Sequence, residues 1–374
     1  MNRHQLTSTI SSVLFVLLLL LAINCETHNP PQRIRKRTVG VLTLKPTRIA
    51  KLITRQYKFR ILGRHSNTRY LLANSSYISE GYIRWLDSVG IKTVPIDINA
   101  DKETLLREVE KVDGLLLTGG SQSFYLKTKE ISVNAKAGGS NKKFRSQLIQ
   151  RIPGDYLDKI DLIMRKAKEI NDEKRKFPVW ATCLAFEAML VSESHYTLYR
   201  HEVENEIHAP LPIEIINPMS RAIRFFSRPE KEMFDLKKLF YFNHKWGVYL
   251  DEILKNEYLK NEIVPIATIN KNDHQVLVWF EYKDYPFVGS QFHPEKFVTK
   301  PNLPGDTEIH LQKDINHKIA MFFKSMLELN TNYISDVPED EEFDSEVNDA
   351  HFDLYDVGMY EHINFYIRPL DKTH

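Results

Sequence analysis

One cysteine, Cys183, lies in the run Phe177 to Glu187, behind the apolar residues Val179 to Ala181 and ahead of the apolar run Leu184 to Leu190. A short strand, a tight turn and a helix form the context of a nucleophile elbow, in which the turn lifts a side chain above the edge of a sheet. The chain holds two cysteines. The other, Cys25, closes an N-terminal segment that reads as removable, so Cys183 is left with no internal disulfide partner. Two readings are open: a thiol nucleophile, or a small buried hydrophobe, since free cysteine is among the most buried residue types.

An ordinary thiol with pKa ~8.5 is ionised to only about three parts in ten thousand at pH ~5, so a nucleophilic Cys183 needs a base. Of the fourteen histidines, His293 is the best placed, in Gly289 to Glu295 just past a predicted strand. Side chains converge there over the carboxyl edge of a parallel sheet. In an extended segment His293 and Glu295 point to the same side about 7 Å apart, which lets Glu295 receive an imidazole N–H and fix the tautomer. Leu184 follows the candidate nucleophile at a helix start, where its backbone N–H is favourably polarised for a developing oxyanion. Gly119 and Gly120 end the strand-like run Gly114 to Leu117, and such glycines let a backbone approach a ligand and aim N–H groups at an anion. Dinucleotide and P-loop signatures do not occur.

The elements that must hold these residues alternate. Thr38 to Leu44 reads as a buried strand, and Ile78, Tyr82, Trp85, Leu86 and Val89 follow helical spacing until Gly90. Thr93 to Ile96 is a second strand; a helix around Leu105, Leu106 and Val109 opens at Asp101; Gly114 to Leu117 is a third strand. Leu157, Ile160, Met164, Ala167 and Ile170 share a helix face leading to the Val179 strand. Gln275 to Glu281 and Tyr285 to Gly289 read as paired strands, and Ile315 to Leu329 as a closing helix. This alternation predicts a mostly parallel sheet flanked by helices, with right-handed crossovers.

Residues 1–25 read as a signal peptide: Arg3 and His4, then an apolar run Val13 to Ile23 too short to span a bilayer. Asn74, in Asn74-Ser75-Ser76, is a candidate glycosylation acceptor. The domain is expected over 38–334, with 126–153 a flexible basic insertion. Residues 335–374 hold twelve acidic and two basic residues, net −10, a composition expected to be disordered; within them Tyr360 to Ile367 is apolar enough to add an edge strand. The formal charge of +2 therefore hides a body at +12. Such a body attracts nucleic acid, anionic lipid or a polyanionic small substrate, and composition does not choose among them.

Taken together, Leu116 to Ser121, Pro178 to Glu187, Phe242 to Trp246 and Gln291 to Lys296 resemble the folate gamma-glutamyl hydrolases, in order from about Thr38 to Leu329. That resemblance implies a flavodoxin-like fold of the class I glutamine amidotransferase-like superfamily, with Cys183 as nucleophile, His293 as base and then acid, and Glu295 as its orienting partner. It also implies a contribution to catalysis or positioning from His244, an oxyanion site shaped by Gly120 and Leu184, and Glu187, Tyr82 and Gly119 near the substrate. The implied substrate is a folate or antifolate polyglutamate. No cofactor or metal, no nucleic acid and no membrane anchor after signal cleavage are implied; a homodimer and a lysosomal, vacuolar or extracellular location are. Two other readings stand beside it: hydrolysis of another gamma-glutamyl amide, and a member of the fold that binds without catalysis. One departure is visible. The family has glycine on both sides of the nucleophile where this chain has Ala181 and Ala185, and the two added methyls are expected to crowd the turn and lower activity more than they disturb the fold.

Overall fold

The computed structural model describes residues 37–45, 75–135, 144–173, 175–271, 273–298, 307–329, 350–353 and 362–367. The signal-peptide and Asn74 readings lie outside the described residues. In chain order the elements that matter here are β1 (Thr38–Leu42), β2 (Ser75–Ser79), α1 (Glu80–Asp87), β3 (Lys92–Ile96), α2 (Lys102–Glu110), β4 (Gly114–Leu117), β5 (Tyr125–Ala135), β6 (Phe144–Pro153), α3 (Asp155–Asp172), β7 (Val179–Thr182) and α4 (Leu184–Glu193). They continue with β8 (His201–Leu211), β9 (Glu214–Ile215), β10 (Phe240–Gly247), β11 (Ile263–Lys271), β12 (His274–Tyr282), β13 (Phe287–Ser290), a 3₁₀ turn at Pro294–Phe297, α5 (Thr307–Glu328), β14 (Ala350–Asp353) and β15 (His362–Ile367).

Eight strands form the main sheet in the order β3-β1-β4-β7-β13-β12-β11-β9. The first five are parallel neighbours and the last three join antiparallel. Taken in chain order, the five parallel strands follow the 2-1-3-4-5 winding of a flavodoxin-like sheet. Sequence alternation assigns the two faces: Leu115, Leu117, Val179 and Ala181 pack into one core, and Val41, Leu116, Trp180 and Val288 into the other. Both faces are therefore covered, as a parallel sheet requires.

The helices follow from their apolar stripes and caps. Asp101 caps α2 by accepting the Thr104 N–H at 2.8 Å. In α1, Tyr82, Trp85 and Leu86 are buried, and Gly90, at φ 77, ends the helical stretch. The structure starts this helix at Glu80 and gives Ile78 to β2, because the polar pair Ser75-Ser76 and the apolar Tyr77-Ile78 pair as an edge strand with β15. Helix α4 is buried from Leu184 to Ser192, consistent with a helix packed directly behind the sheet rather than at its surface.

Two segments differ from the sequence reading. Within the stretch read as a flexible insertion, β5 and β6 pair antiparallel from Tyr125↔Pro153 to Ala135↔Phe144. The β-branched and aromatic residues of Ile131, Val133 and Phe144 carry strand propensity that the lysine count obscured. Within the stretch read as disordered, β14 pairs with β15 and β15 with β2. His362 to Ile367 lacks acidic residues and forms the strand expected within Tyr360 to Ile367, but as the central strand between β14 and β2 rather than at an edge.

Candidate active site

The turn after β7 carries Cys183 at φ 51 and ψ −103, a left-handed conformation that a non-glycine residue adopts at a cost of about 1–3 kcal/mol. Backbone hydrogen bonds hold it there: the Cys183 N–H donates to Ser290 O at 2.7 Å, and the Glu187 N–H to Cys183 O at 3.1 Å. The strained turn sits at the carboxyl end of the central strand, where side chains are presented over the sheet edge. Ala181 and Ala185 are fully buried in the core on either side, and the turn between them is formed with both methyls in place.

His293 lies just past β13, its N–H donating to Tyr241 O at 2.8 Å. Its Nδ1 is 2.7 Å from Glu295 Oε1, and both residues are buried. The reach is made by the 3₁₀ turn that begins at Pro294, not by an extended chain. Gly81 makes room for that turn: a Cβ there would meet Glu295 Cγ and O, each at 3.3 Å. Burial raises the Glu295 carboxyl, but the adjacent His293, then Lys296, outweigh it and hold it below the usual carboxylate range. An ionised Glu295 accepts the Nδ1 proton and leaves Nε2 as the basic nitrogen. That Nε2 is buried with no hydrogen-bond partner among the described residues.

Gly119 joins these groups. A Cβ on it would meet His293 Cε1 at 2.9 Å, the Tyr82 hydroxyl at 2.9 Å and Cys183 Cβ at 3.0 Å. Thiol, imidazole and phenol thus converge on one point above a glycine, which only a residue without a side chain permits. The Gly119 N–H donates to the Tyr82 hydroxyl at 2.8 Å, so this amide is already used and Tyr82 shapes the loop from a buried position. Gly120 is exposed, and Leu184 opens helix α4 directly after Cys183.

Around the thiol the environment is dry and acidic. Burial first, then Glu187 and Glu295, push the Cys183 thiol above its ordinary range, so it rests as a neutral S–H. Its Sγ is 3.7 Å from Asn243 O, to which the thiol donates, and 3.7 Å from Gln291 Nε2. The same Gln291 amide donates to Glu187 Oε1 at 3.2 Å, and Glu187 Oε2 accepts from Arg200 Nη1 at 2.7 Å. His244 follows Asn243 on β10, buried, with Nδ1 2.7 Å from Trp246 O. A bulge between His244 and Trp246 breaks the pairing of β10 with β8 at this place. Bulges of this kind re-aim side chains beside active sites.

Sequence reasoning therefore named Cys183, His293, Glu295, Gly119, Tyr82, Leu184 and Glu187, which the structure brings together, and His244, which it sets one residue from the thiol's carbonyl partner. It did not single out Asn243, Gln291 or Arg200. Gln291 and Asn243 stand inside motifs without a role of their own, and Arg200 lies just before a ribbon whose strands, β8 and β10, carry no clear period.

Glu187 sets a pH dependence. Burial pushes its carboxyl up to about 7, with Arg200 and Gln291 pulling the other way. The ordinary value is 4.5, so the folded protein holds this proton more tightly than the unfolded chain. The resulting stabilisation is complete below about 4.5 and lost as pH rises to about 7. The unfolding free energy is expected to fall across that window by on the order of 3 kcal/mol. Glu187→Gln should flatten the fall; equal slopes in urea denaturation of the two proteins from pH 4.5 to 7 would contradict the assignment.

A flavodoxin-like sheet with a cysteine at a strained elbow, and a His–Glu pair on the neighbouring strand's end, defines a protein of the class I glutamine amidotransferase-like fold. The family model described as Peptidase C26 matches residues 61–150. The chain is 28% identical over 241 residues to probable gamma-glutamyl hydrolase 3 of Arabidopsis thaliana, covering 62% of this chain and 59% of the relative. It is 28% identical over 226 residues to gamma-glutamyl hydrolase of Rattus norvegicus, covering 59% and 61%. With the gamma-glutamyl hydrolase of Homo sapiens it shares 24% identity over 272 residues, covering 71% and 75%. In these matches the chain is similar to the gamma-glutamyl hydrolases. The matched region spans about six-tenths of the length of the plant and rat relatives.

Proposed function

We propose that this protein is a cysteine hydrolase that cleaves gamma-glutamyl bonds of folate poly-gamma-glutamates, acting in a lysosome, a vacuole or outside the cell. The single observation that carries the reading is the convergence of Cys183, His293 and Tyr82 on Gly119, with His293 Nδ1 held by Glu295 and Nε2 left open. The family supports the bond cleaved, and the net charge of +12 on residues 1–334 suits a substrate that carries a chain of carboxylates.

In the reaction, His293 Nε2 takes the Cys183 proton as Sγ bonds to the gamma-amide carbonyl carbon. The carbonyl oxygen becomes an oxyanion held by the Leu184 N–H and the Gly120 segment. His293 then returns the proton to the departing amine nitrogen, the C–N bond breaks, and a thioester remains on Cys183. Water, deprotonated by the same nitrogen, adds to the thioester; the C–S bond breaks and the thiol regains its proton. Glu295 keeps the imidazole oriented and stabilises its charged form in both halves. A neutral resting thiol is compatible with this, because proton transfer and attack occur within one buried pair. His244 positions the substrate or the Asn243 carbonyl against Sγ.

The substrate class is tested by comparing kcat/KM for a pteroyl pentaglutamate, a small gamma-glutamyl metabolite and glutamine. The pentaglutamate should lead by at least about 100-fold, as remote binding energy is realised in the transition state. Preference for a small amide would move the assignment to another gamma-glutamyl hydrolase, and no turnover of any would favour a binding protein.

A further inference from the structure

We propose that Arg200 is a specificity-determining residue that grips a carboxylate of the substrate next to the scissile amide; this rests on the gamma-glutamyl hydrolase reading. Arg200 lies between the two segments that frame the thiol. Its guanidinium carbon sits 3.7 Å over the ring of Phe124, on the loop that follows Gly119 and Gly120, and 5.4 Å from the ring centre of Trp246, two residues past His244. Stacking on aromatic faces fixes the plane of a guanidinium and leaves its edge for hydrogen bonds.

That edge is only partly used. Nη1 donates to Glu187 Oε2 at 2.7 Å, while the other N–H donors make no hydrogen bond among the described residues and are not buried, 17% of the side chain being exposed. A planar fork held at one corner and open at the others matches a carboxylate, which accepts two parallel N–H bonds. Its place relative to the chemistry follows from the contacts: Arg200 touches Glu187, Glu187 touches Gln291, and Gln291 reaches Cys183 Sγ. A carboxylate one glutamyl unit from the attacked carbonyl lies within that span. Glu187 does not cancel the site in acid, since burial keeps its carboxyl neutral below about 7 and leaves the guanidinium charge for a ligand. Trp246, 39% exposed, offers an apolar wall beside the same edge, against which the methylenes of a glutamyl side chain can lie.

If Arg200 only neutralised Glu187, its loss would weaken all ligands alike. The test therefore uses binding to the inactive Cys183→Ala protein, measured by calorimetry. The ligands are p-aminobenzoyl-gamma-glutamyl-glutamate and two analogues in which the alpha-carboxylate on one or the other side of the scissile amide is a carboxamide. Arg200→Gln should weaken the parent about 10- to 100-fold, the range of a charge-assisted pair. It should leave one analogue, the one already lacking the gripped carboxylate, within about threefold, and that analogue names the side. Arg200→Lys, which keeps the charge without the fork, should fall between and serves as the second variant if the first fails to fold. Equal weakening of all three ligands, or a parent bound no better than both analogues before any change at Arg200, would overturn the proposal. Because binding is read without turnover, failure of the proposed reaction in the unmodified protein remains separately visible.

Discussion

Cys183→Ala is expected to lower gamma-glutamyl cleavage by on the order of 10⁴-fold or more, while the protein stays folded. The magnitude follows from the way a nucleophile and its base act as a unit: once the attacking atom is gone, only binding and oxyanion stabilisation remain. The folded state tolerates the change because the removed group is one sulfur, whose long contacts to Asn243 O and Gln291 Nε2 are each 3.7 Å. The turn itself is held by backbone bonds to Ser290 and Glu187 that alanine keeps. Cys183→Ser should fare little better, since a hydroxyl in this dry, acidic pocket ionises far less readily than a thiol. Product release measured beside circular dichroism checks both halves of the expectation. Activity within tenfold of the unmodified protein would remove Cys183 from the mechanism.

Gly119→Ala should be nearly as damaging although it touches no reacting group. An alanine methyl would come within 3.0 Å of Cys183 Cβ and 2.9 Å of both His293 Cε1 and the Tyr82 hydroxyl. All three belong to residues fixed by other bonds: His293 by Glu295, Tyr82 by the Gly119 N–H, Cys183 by its turn. The methyl can be admitted only by spreading thiol and imidazole apart. A displacement near 1 Å costs about 100-fold in kcat, and overpacking about 1–3 kcal/mol of stability. The pair of readings should move together, with KM affected less. A variant with normal kcat would mean that the convergence over Gly119 is not the reacting geometry.

The candidate catalytic residues were legible in the sequence because an elbow and a strand end leave short-range marks. Val179 to Ala181 is a run of apolar residues, Cys183 breaks it, and Leu184 to Leu190 resumes it; His293 and Glu295 stand two apart behind another strand. The parallel order of the sheet followed from the alternation of strands and helices. What the sequence did not disclose depends on long-range pairing. The ribbon of β8 and β10 brings Asn243 to the thiol and Trp246 to Arg200, contacts set by a register and a bulge rather than by any local period. The hairpin of β5 and β6 was hidden by its lysines, and β14 by the acidic residues around it, whereas β15 was legible as a strand but not as the one that pairs on both sides. The alanines at 181 and 185 were expected to crowd the elbow; in the fold they fill core space and the left-handed turn at Cys183 forms between them.

The most direct test of the account is to mix the protein with a pteroyl polyglutamate, quench in acid within milliseconds, and read the intact and peptide masses. An increment equal to the acyl fragment is expected, carried on the peptide that contains Cys183 and lost on hydroxylamine treatment, as a thioester requires. Turnover during which no adduct forms at Cys183, or an adduct on a different residue, would contradict it.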